Sequence, residues 1–154
     1  MKRLVSILAA LALSLSGGCG LKSTAPKAEV KDAWVRLPAV PGRPGGGYFR
    51  IEINGTRETL LAVTSPSAER IEIHQTVSEG GRTRMERLEQ FSTQRGAPLV
   101  AEPGGTHLML FGIDPALRPG GTIELDFRFL LAPPATAQAR LVAAGEPGPQ
   151  HGGR

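Results

Sequence analysis

An imidazole and a thioether stand two residues apart in this sequence, at His107 and Met109, inside the apolar run Thr106-His107-Leu108-Met109-Leu110. Side chains alternate between the two faces of a β-strand, so on a strand His107 and Met109 share one face, about 6.6 Å apart along the chain. At that spacing both side chains can bind one metal ion. A strand with two half-buried residues of no chemical role would show the same pattern, so the rest of the chain must decide.

A predicted hairpin brings a second histidine and methionine together. Segments 70–76 and 82–88 are predicted to be strands, and the residues Ser78-Glu79-Gly80-Gly81 between them predict a turn. A turn at Glu79-Gly80 sets His74 directly opposite Met85, with Cβ atoms about 5 Å apart, whereas a turn at Gly80-Gly81 makes them diagonal neighbours. Both registers place the two residues on one face. The segment 82–88 has no clean apolar face, which indicates an irregular or edge strand.

Histidine and methionine are unevenly distributed along the chain. It contains three of each, with Met1 at its start and His151 near its end, and the other four residues are those of the two pairs. Methionine in a β domain is normally core filler. Core packing alone does not explain why every internal methionine falls beside a histidine, so the distribution favours a metal site.

The four residues also follow a characteristic spacing. Ten residues separate His74 from Met85, twenty-one separate Met85 from His107, and one separates His107 from Met109. This spacing resembles the copper motif of PCu(A)C-type periplasmic copper chaperones. Supporting similarity extends over about residues 33–129, in Ala33-Trp34-Val35-Arg36, Tyr48 with Asn54, Ser65-Pro66-Ser67-Ala68, Pro103-Gly104-Gly105, and Leu117 with Gly120.

The resemblance implies a fold, a cargo and a partner. It implies a cupredoxin-like β-sandwich that binds one Cu(I) ion through His74, Met85, His107 and Met109. The acceptor that it implies is the Cu(A) centre of cytochrome c oxidase or an assembly factor of that enzyme. Some family members add a His- and Met-rich tail that binds Cu(II), and His151 is all that corresponds to it here, so a second copper site has little support.

The chemistry of the donors agrees with this interpretation. Thioethers together with imidazoles select Cu(I), whereas Mg²⁺, Ca²⁺ and Mn²⁺ prefer oxygen ligands. A blue-copper centre needs a cysteine ligand. The only cysteine, Cys19, is expected to carry a lipid, so a blue-copper centre is excluded. Four protein donors would fill a tetrahedral shell and leave no open position of the kind that catalytic metal sites keep. We therefore expect a carrier and not an enzyme.

The beginning of the chain resembles an export signal. Lys2 and Arg3 precede an apolar stretch over residues 4–15, which is too short to span a membrane stably. Small residues lead into Cys19, as in a bacterial lipoprotein processing site, although Ser16 stands where such sites usually carry Leu. We expect residues 1–18 to be a signal peptide and Cys19 to be lipidated, which predicts a periplasmic, membrane-tethered protein. Ordinary signal cleavage nearby and an uncleaved anchor are the alternatives.

Composition divides the rest of the chain. Residues 19–32 are rich in Lys, Ala, Ser and Pro and are predicted to be a flexible tether, and residues 145–154, without an apolar residue to bury, are predicted to be disordered. The domain between them, 33–144, shows short alternating apolar runs and no sustained helical period, so it is predicted to be an all-β, Greek-key sandwich. Its strands are predicted at 33–37, 47–54, 59–63, 70–76, 82–88, 98–101, 106–111, 122–131 and 137–142.

Charge and other motifs exclude several functions. Outside Lys2 and Arg3 the chain carries 16 basic and 14 acidic residues in mixed order, which argues against nucleic-acid binding. No Ser-His-Asp arrangement is evident, and the carboxylate pair Glu69 and Glu72 is interpreted as part of a solvated strand face. We expect a monomer. Two other hypotheses remain open: a copper buffer or resistance protein without a dedicated partner, and a metal-free envelope interaction module.

Overall fold

The computed structural model describes residues 26–54 and 57–149. Within those residues every regular element is a β-strand, which confirms the all-β prediction. None of these described residues forms a helix long and apolar enough to cross a membrane. The strands are β1 (Lys27–Arg36), β2 (Gly45–Asn54), β3 (Thr59–Thr64), β4 (Ala68–Glu79), β5 (Arg82–Leu88), β6 (Phe91–Ser92), β7 (Leu99–Ala101), β8 (Thr106–Ile113), β9 (Thr122–Phe129) and β10 (Ala135–Val142).

The strands form one continuous hydrogen-bonded sheet that folds over on itself. Its order is β5-β4-β8-β2-β1-β10-β9-β3-β6, and β7 pairs with β2 next to the segment that pairs with β8. All of these pairs are antiparallel except β1 with β10. Ile73 of β4 and Leu60 of β3, from distant parts of the sheet, belong to the same buried cluster. The two halves of the sheet therefore enclose one core, as in the predicted sandwich.

Alternation along each strand decides which side chains enter that core. In β9 the side chains of Ile123, Leu125 and Phe127 are buried, and the residues between them are more exposed. The Phe127 ring meets Phe49 of β2 edge to face, with centroids 5.2 Å apart. One face of every central strand packs into the core. The opposite face, the outer face, carries the side chains that are available to bind a ligand.

The first strand begins earlier than the sequence analysis predicts. Residues 27–31, expected to belong to the tether, pair with β2 from Lys27 opposite Asn54 to Lys31 opposite Arg50. The partly buried side chains at positions 28 and 30 pack against the core. A register shift then follows, where Asp32 adopts a positive φ of 50°. The bulge interrupts the alternation of apolar and polar residues, so the first half of this strand could not be recognised from composition.

The segment 145–149, expected to be disordered, lies against the outer face. Arg36 donates a hydrogen bond from Nη2 to the carbonyl oxygen of Glu146 at 3.0 Å. Gly148 lies so close to the Trp34 indole that an added Cβ would be 2.1 Å from its ring. This segment lies against Trp34 with Gly148 and its two neighbouring prolines, Pro147 and Pro149. A composition this rich in Gly and Pro gave no sign of order. Residues 150–154 are outside the described part.

The hairpin between β4 and β5 turns at Gly80-Gly81, the second of the two predicted registers. Both glycines have positive φ, 57° and 75°, as a two-residue type I′ turn requires. Thr76 therefore faces Met85. As predicted, β5 is an edge strand, and its side chains are exposed almost throughout.

Candidate metal centre

Two neighbouring strands, β4 and β8, place the two histidines opposite each other. Leu108 and Leu110 of β8 are fully buried in the core, so alternation turns His107 to the outer face. His74 of β4 faces the same way, and the register pairs it directly with His107. The two imidazole rings are stacked with their centroids 6.2 Å apart and their planes 29° apart.

The two methionines lie on the same face, beside the histidine pair. Met109 is half-buried in β8 and pairs with Glu72 of β4. Met85 pairs with Thr76, so it is a diagonal neighbour of His74, and it is 59% exposed. The structure thus brings all four predicted residues onto the outer face of three adjacent strands.

Each imidazole has one nitrogen in a hydrogen bond. The Nδ1 atom of His107 lies 3.0 Å from the carbonyl oxygen of Gly105. The Nε2 atom of His74 lies 2.9 Å from Oε2 of Glu72, and this side chain of His74 is only 14% exposed. The other ring nitrogen of His74, Nδ1, is buried and has no hydrogen-bond partner among the described residues.

Glu72 connects the histidine to two arginines. Its Oε1 atom lies 2.9 Å from Nε of Arg70 and 3.5 Å from a guanidinium nitrogen of Arg87. The hydrogen bond with His74 lowers the pKa of Glu72 below its ordinary value, the two arginines add to that effect, and burial opposes it. These contacts hold a carboxylate whose side chain is only 13% exposed.

The donors present on this face fit copper better than harder ions. Two neutral imidazoles and two thioethers form a soft set, of the kind that binds Cu(I). A buried nitrogen without a partner, such as Nδ1 of His74, calls for an explanation, and a bound ion would supply one. Within residues 26–54 and 57–149, no three His, Cys, Asp or Glu side chains are grouped to hold a metal ion.

Glu72 was predicted to lie on a solvated strand face, and this prediction is wrong because its side chain is only 13% exposed. The cross-strand neighbours of β4 shield this carboxylate, and those neighbours could not be read from local sequence. One signal was available: Glu72 is two residues before His74, so on a strand both point to the same face. Two other predicted residues, Cys19 and His151, lie outside the described residues.

Solved structures confirm the predicted PCu(A)C-type fold. The copper-bound PCuAC domain from PmoF2 superposes with a TM-score of 0.64 at 20% identity, over 77% of this chain and 95% of that domain. The solution structure of apo-DR1885 from Deinococcus radiodurans gives 0.58 at 17% identity, over 94% of this chain and 98% of the other. The fold is therefore the cupredoxin-like sandwich of these domains.

Sequence comparisons identify the family. "Putative lipoprotein Lxx21020" of Leifsonia xyli subsp. xyli (strain CTCB07) is 29% identical over 102 residues, which is 66% of this chain. The matched region spans 61% of that relative's length. A family model described as "Putative lipoprotein LpqE-like" matches residues 28–141, almost the whole described fold. The chain belongs to the LpqE-like family.

Proposed function

We propose that this protein is an exported copper carrier that binds one Cu(I) ion through His74, Met85, His107 and Met109. One observation carries the proposal: the β4–β8 register sets the two histidines opposite each other and leaves both methionines on the same outer face. Copper in a solved domain of the same fold supports the choice of ion. The ion is cargo, since four protein donors complete its shell.

The exposure of Met85 supports release to a partner. Met85 lies on an edge strand and is 59% exposed, so an incoming donor can approach the ion from that side. A thioether carries no proton to exchange, and an acceptor can therefore replace it without a protonation step. By resemblance, the acceptor is the Cu(A) centre of cytochrome c oxidase or one of its assembly factors.

The location of the protein is also part of the proposal. Lipidation of Cys19 after removal of residues 1–18 would tether the fold to a membrane on the periplasmic side. The family description and the Leifsonia relative's name both refer to lipoproteins, which supports the anchor. From Cys19 to the start of β1 at Lys27, the connecting chain spans at most roughly 25–30 Å when extended. The carrier would then act close to the membrane surface.

Anaerobic Cu(I) titration against a competing chelator tests the proposal. Residues 20–154, which contain the whole described fold, should bind one equivalent of Cu(I). Met85→Leu and Met109→Leu keep the apolar volume and remove the sulfur donor, so both variants should bind more weakly. His151→Ala removes the one histidine outside the cluster and serves as the matched control.

The outcomes separate the open hypotheses. Weak binding that neither methionine substitution changes would leave a metal-free interaction module. Tight binding lost in both variants would establish the site. Transfer to an apo acceptor that is faster than dissociation into solution would then distinguish a chaperone from a copper buffer.

A further inference from the structure

The protons on the two imidazoles can be placed from their hydrogen bonds. A carbonyl oxygen only accepts, so Nδ1 of His107 donates to Gly105 and, in the neutral ring, Nε2 retains the lone pair. The carboxylate of Glu72, which also faces two arginines, likewise accepts, so Nε2 of His74 donates to it and Nδ1 of the neutral ring retains the lone pair. The two histidines are therefore held in opposite tautomers.

The carboxylate that fixes His74 is itself held in place. Its Oε1 atom is engaged by Arg70 and Arg87 on either side, which leaves Oε2 for His74. Arg70 is packed over the ring of Phe111, with 4.2 Å between its guanidinium carbon and the ring centroid. With both oxygens occupied by neighbours, Glu72 is suited to orienting a ligand and not to being one.

We propose that Glu72 is a positioning residue that locks His74 as the Nε2–H tautomer, so that Cu(I) is bound through Nδ1 of His74 and Nε2 of His107. The unpartnered, buried Nδ1 of His74 is the atom that this assignment predicts to be a ligand. Carboxylates that hydrogen-bond the remote nitrogen of a metal-bound histidine fix its tautomer and raise its basicity. This inference rests on the copper site proposed above.

Long-range ¹H–¹⁵N NMR of the imidazoles tests the assignment first in the metal-free protein at about pH 7.5. In the wild type we expect His74 to show the Nε2–H tautomer and His107 the Nδ1–H tautomer. Glu72→Gln removes the charge and keeps the size, so His74 should shift toward a mixture of tautomers while His107 stays unchanged. Adding one equivalent of Cu(I) to the wild type should move the Nδ1 resonance of His74 and the Nε2 resonance of His107.

Copper affinity gives the second measurement. Glu72→Gln should weaken Cu(I) binding by about 10–100-fold, the usual effect of removing such a carboxylate. Glu52→Gln is the matched control, because Glu52 also pairs with an arginine two residues away, Arg50, on an outward strand face. That variant should bind Cu(I) as tightly as the wild type.

The failures are distinguishable. If the wild type does not bind Cu(I), the proposed function fails and the tautomer measurement still reports on Glu72. If the wild type binds tightly but Glu72→Gln changes neither the His74 tautomer nor the affinity, the positioning role is wrong. A copper-induced shift at Nε2 of His74 in place of Nδ1 would overturn the assignment of the donor atom.

Discussion

The outer face of the sheet has two halves that share one strand pattern and differ in what covers them. The covered half consists of Trp34, Tyr48 and Val142, a buried cluster separate from the core. The Trp34 and Tyr48 rings are stacked with centroids 4.2 Å apart, and the segment 145–149 lies over the indole. This half is sealed by the chain itself.

The open half consists of His74, Met85, His107 and Met109, and no such segment covers it in the described structure. The boundary between the halves falls at Gly46, which pairs with Met109 and lies beneath the hydroxyl of Tyr48. Alternation along the strands thus determines which residues face outward. A segment that is distant in sequence determines which of those residues stay accessible. The open half is thus where an ion and an acceptor can approach.

The largest expected effect is on the covered half. Trp34→Ala removes an indole that is 2% exposed and should lower the free energy of unfolding by about 3–5 kcal/mol. Urea denaturation of the metal-free protein measures that change. Cu(I) affinity of the remaining folded protein should stay within about threefold of the wild type, since Trp34 is not a proposed ligand and its described ring contacts are with Tyr48 and Arg36. A large loss of affinity at low urea would show that the two halves are coupled.

On the open half we expect the reverse: a substitution there should change Cu(I) affinity strongly and the free energy of unfolding little. His107→Ala should weaken Cu(I) binding by more than about 100-fold, because losing a ligand should cost more than losing a residue that only orients one. The free energy of unfolding should change by no more than about 1 kcal/mol, since His107 lies on the outer face and loses one hydrogen bond, to Gly105. His151→Ala, treated identically, should alter neither quantity.

Each histidine–methionine pair could be predicted to share a face because that placement depends only on local rules. Alternation fixes His107 with Met109, and either hairpin register fixes His74 with Met85. The choice between registers required Gly80-Gly81 to be recognised as a type I′ turn, since both residues must take positive φ. That signal is present in the sequence, where two adjacent glycines follow Glu79.

Features that depend on distant segments could not be predicted. The pairing of His74 with His107 joins strands that are far apart in sequence, and the shielding of Glu72 follows from that pairing. The ordered segment 145–149 is stabilised by contacts with β1, at the other end of the chain. Its own composition, which is rich in Gly and Pro, does not predict those contacts.

A smaller effect should separate the two methionines within the open half. Met85 is 59% exposed and Met109 is half-buried, so mild peroxide should convert Met85 to the sulfoxide first. Peptide mass spectrometry measures the order of oxidation. Loss of that soft donor should weaken Cu(I) binding by about tenfold, equivalent to about 1.4 kcal/mol. Equal rates at the two residues, or undiminished affinity after complete Met85 oxidation, would contradict this picture of an accessible ligand.

The smallest effect should come from the start of β1, away from both clusters, where the outward side chains are exposed charges. Glu29 and Lys31 form an ion pair there, with side chains 56% and 47% exposed. The hydrogen bond and the charge of Lys31 lower the pKa of Glu29 from its ordinary value of 4.5. A carboxyl group shifted in this direction stabilises the fold above its unfolded pKa, and the contribution is lost as the pH falls through the folded value.

The urea midpoint of Glu29→Gln should therefore lie slightly below that of the wild type at pH 6, and the difference should close as the pH is lowered from about 4.5 toward 3. High salt at pH 6 should reduce the difference too, because an exposed pair is screened. A difference that stayed constant over that pH range would have to come from the shape of the side chain and not from its charge. Residues 27–32 would then be held in β1 by backbone pairing and apolar contacts alone.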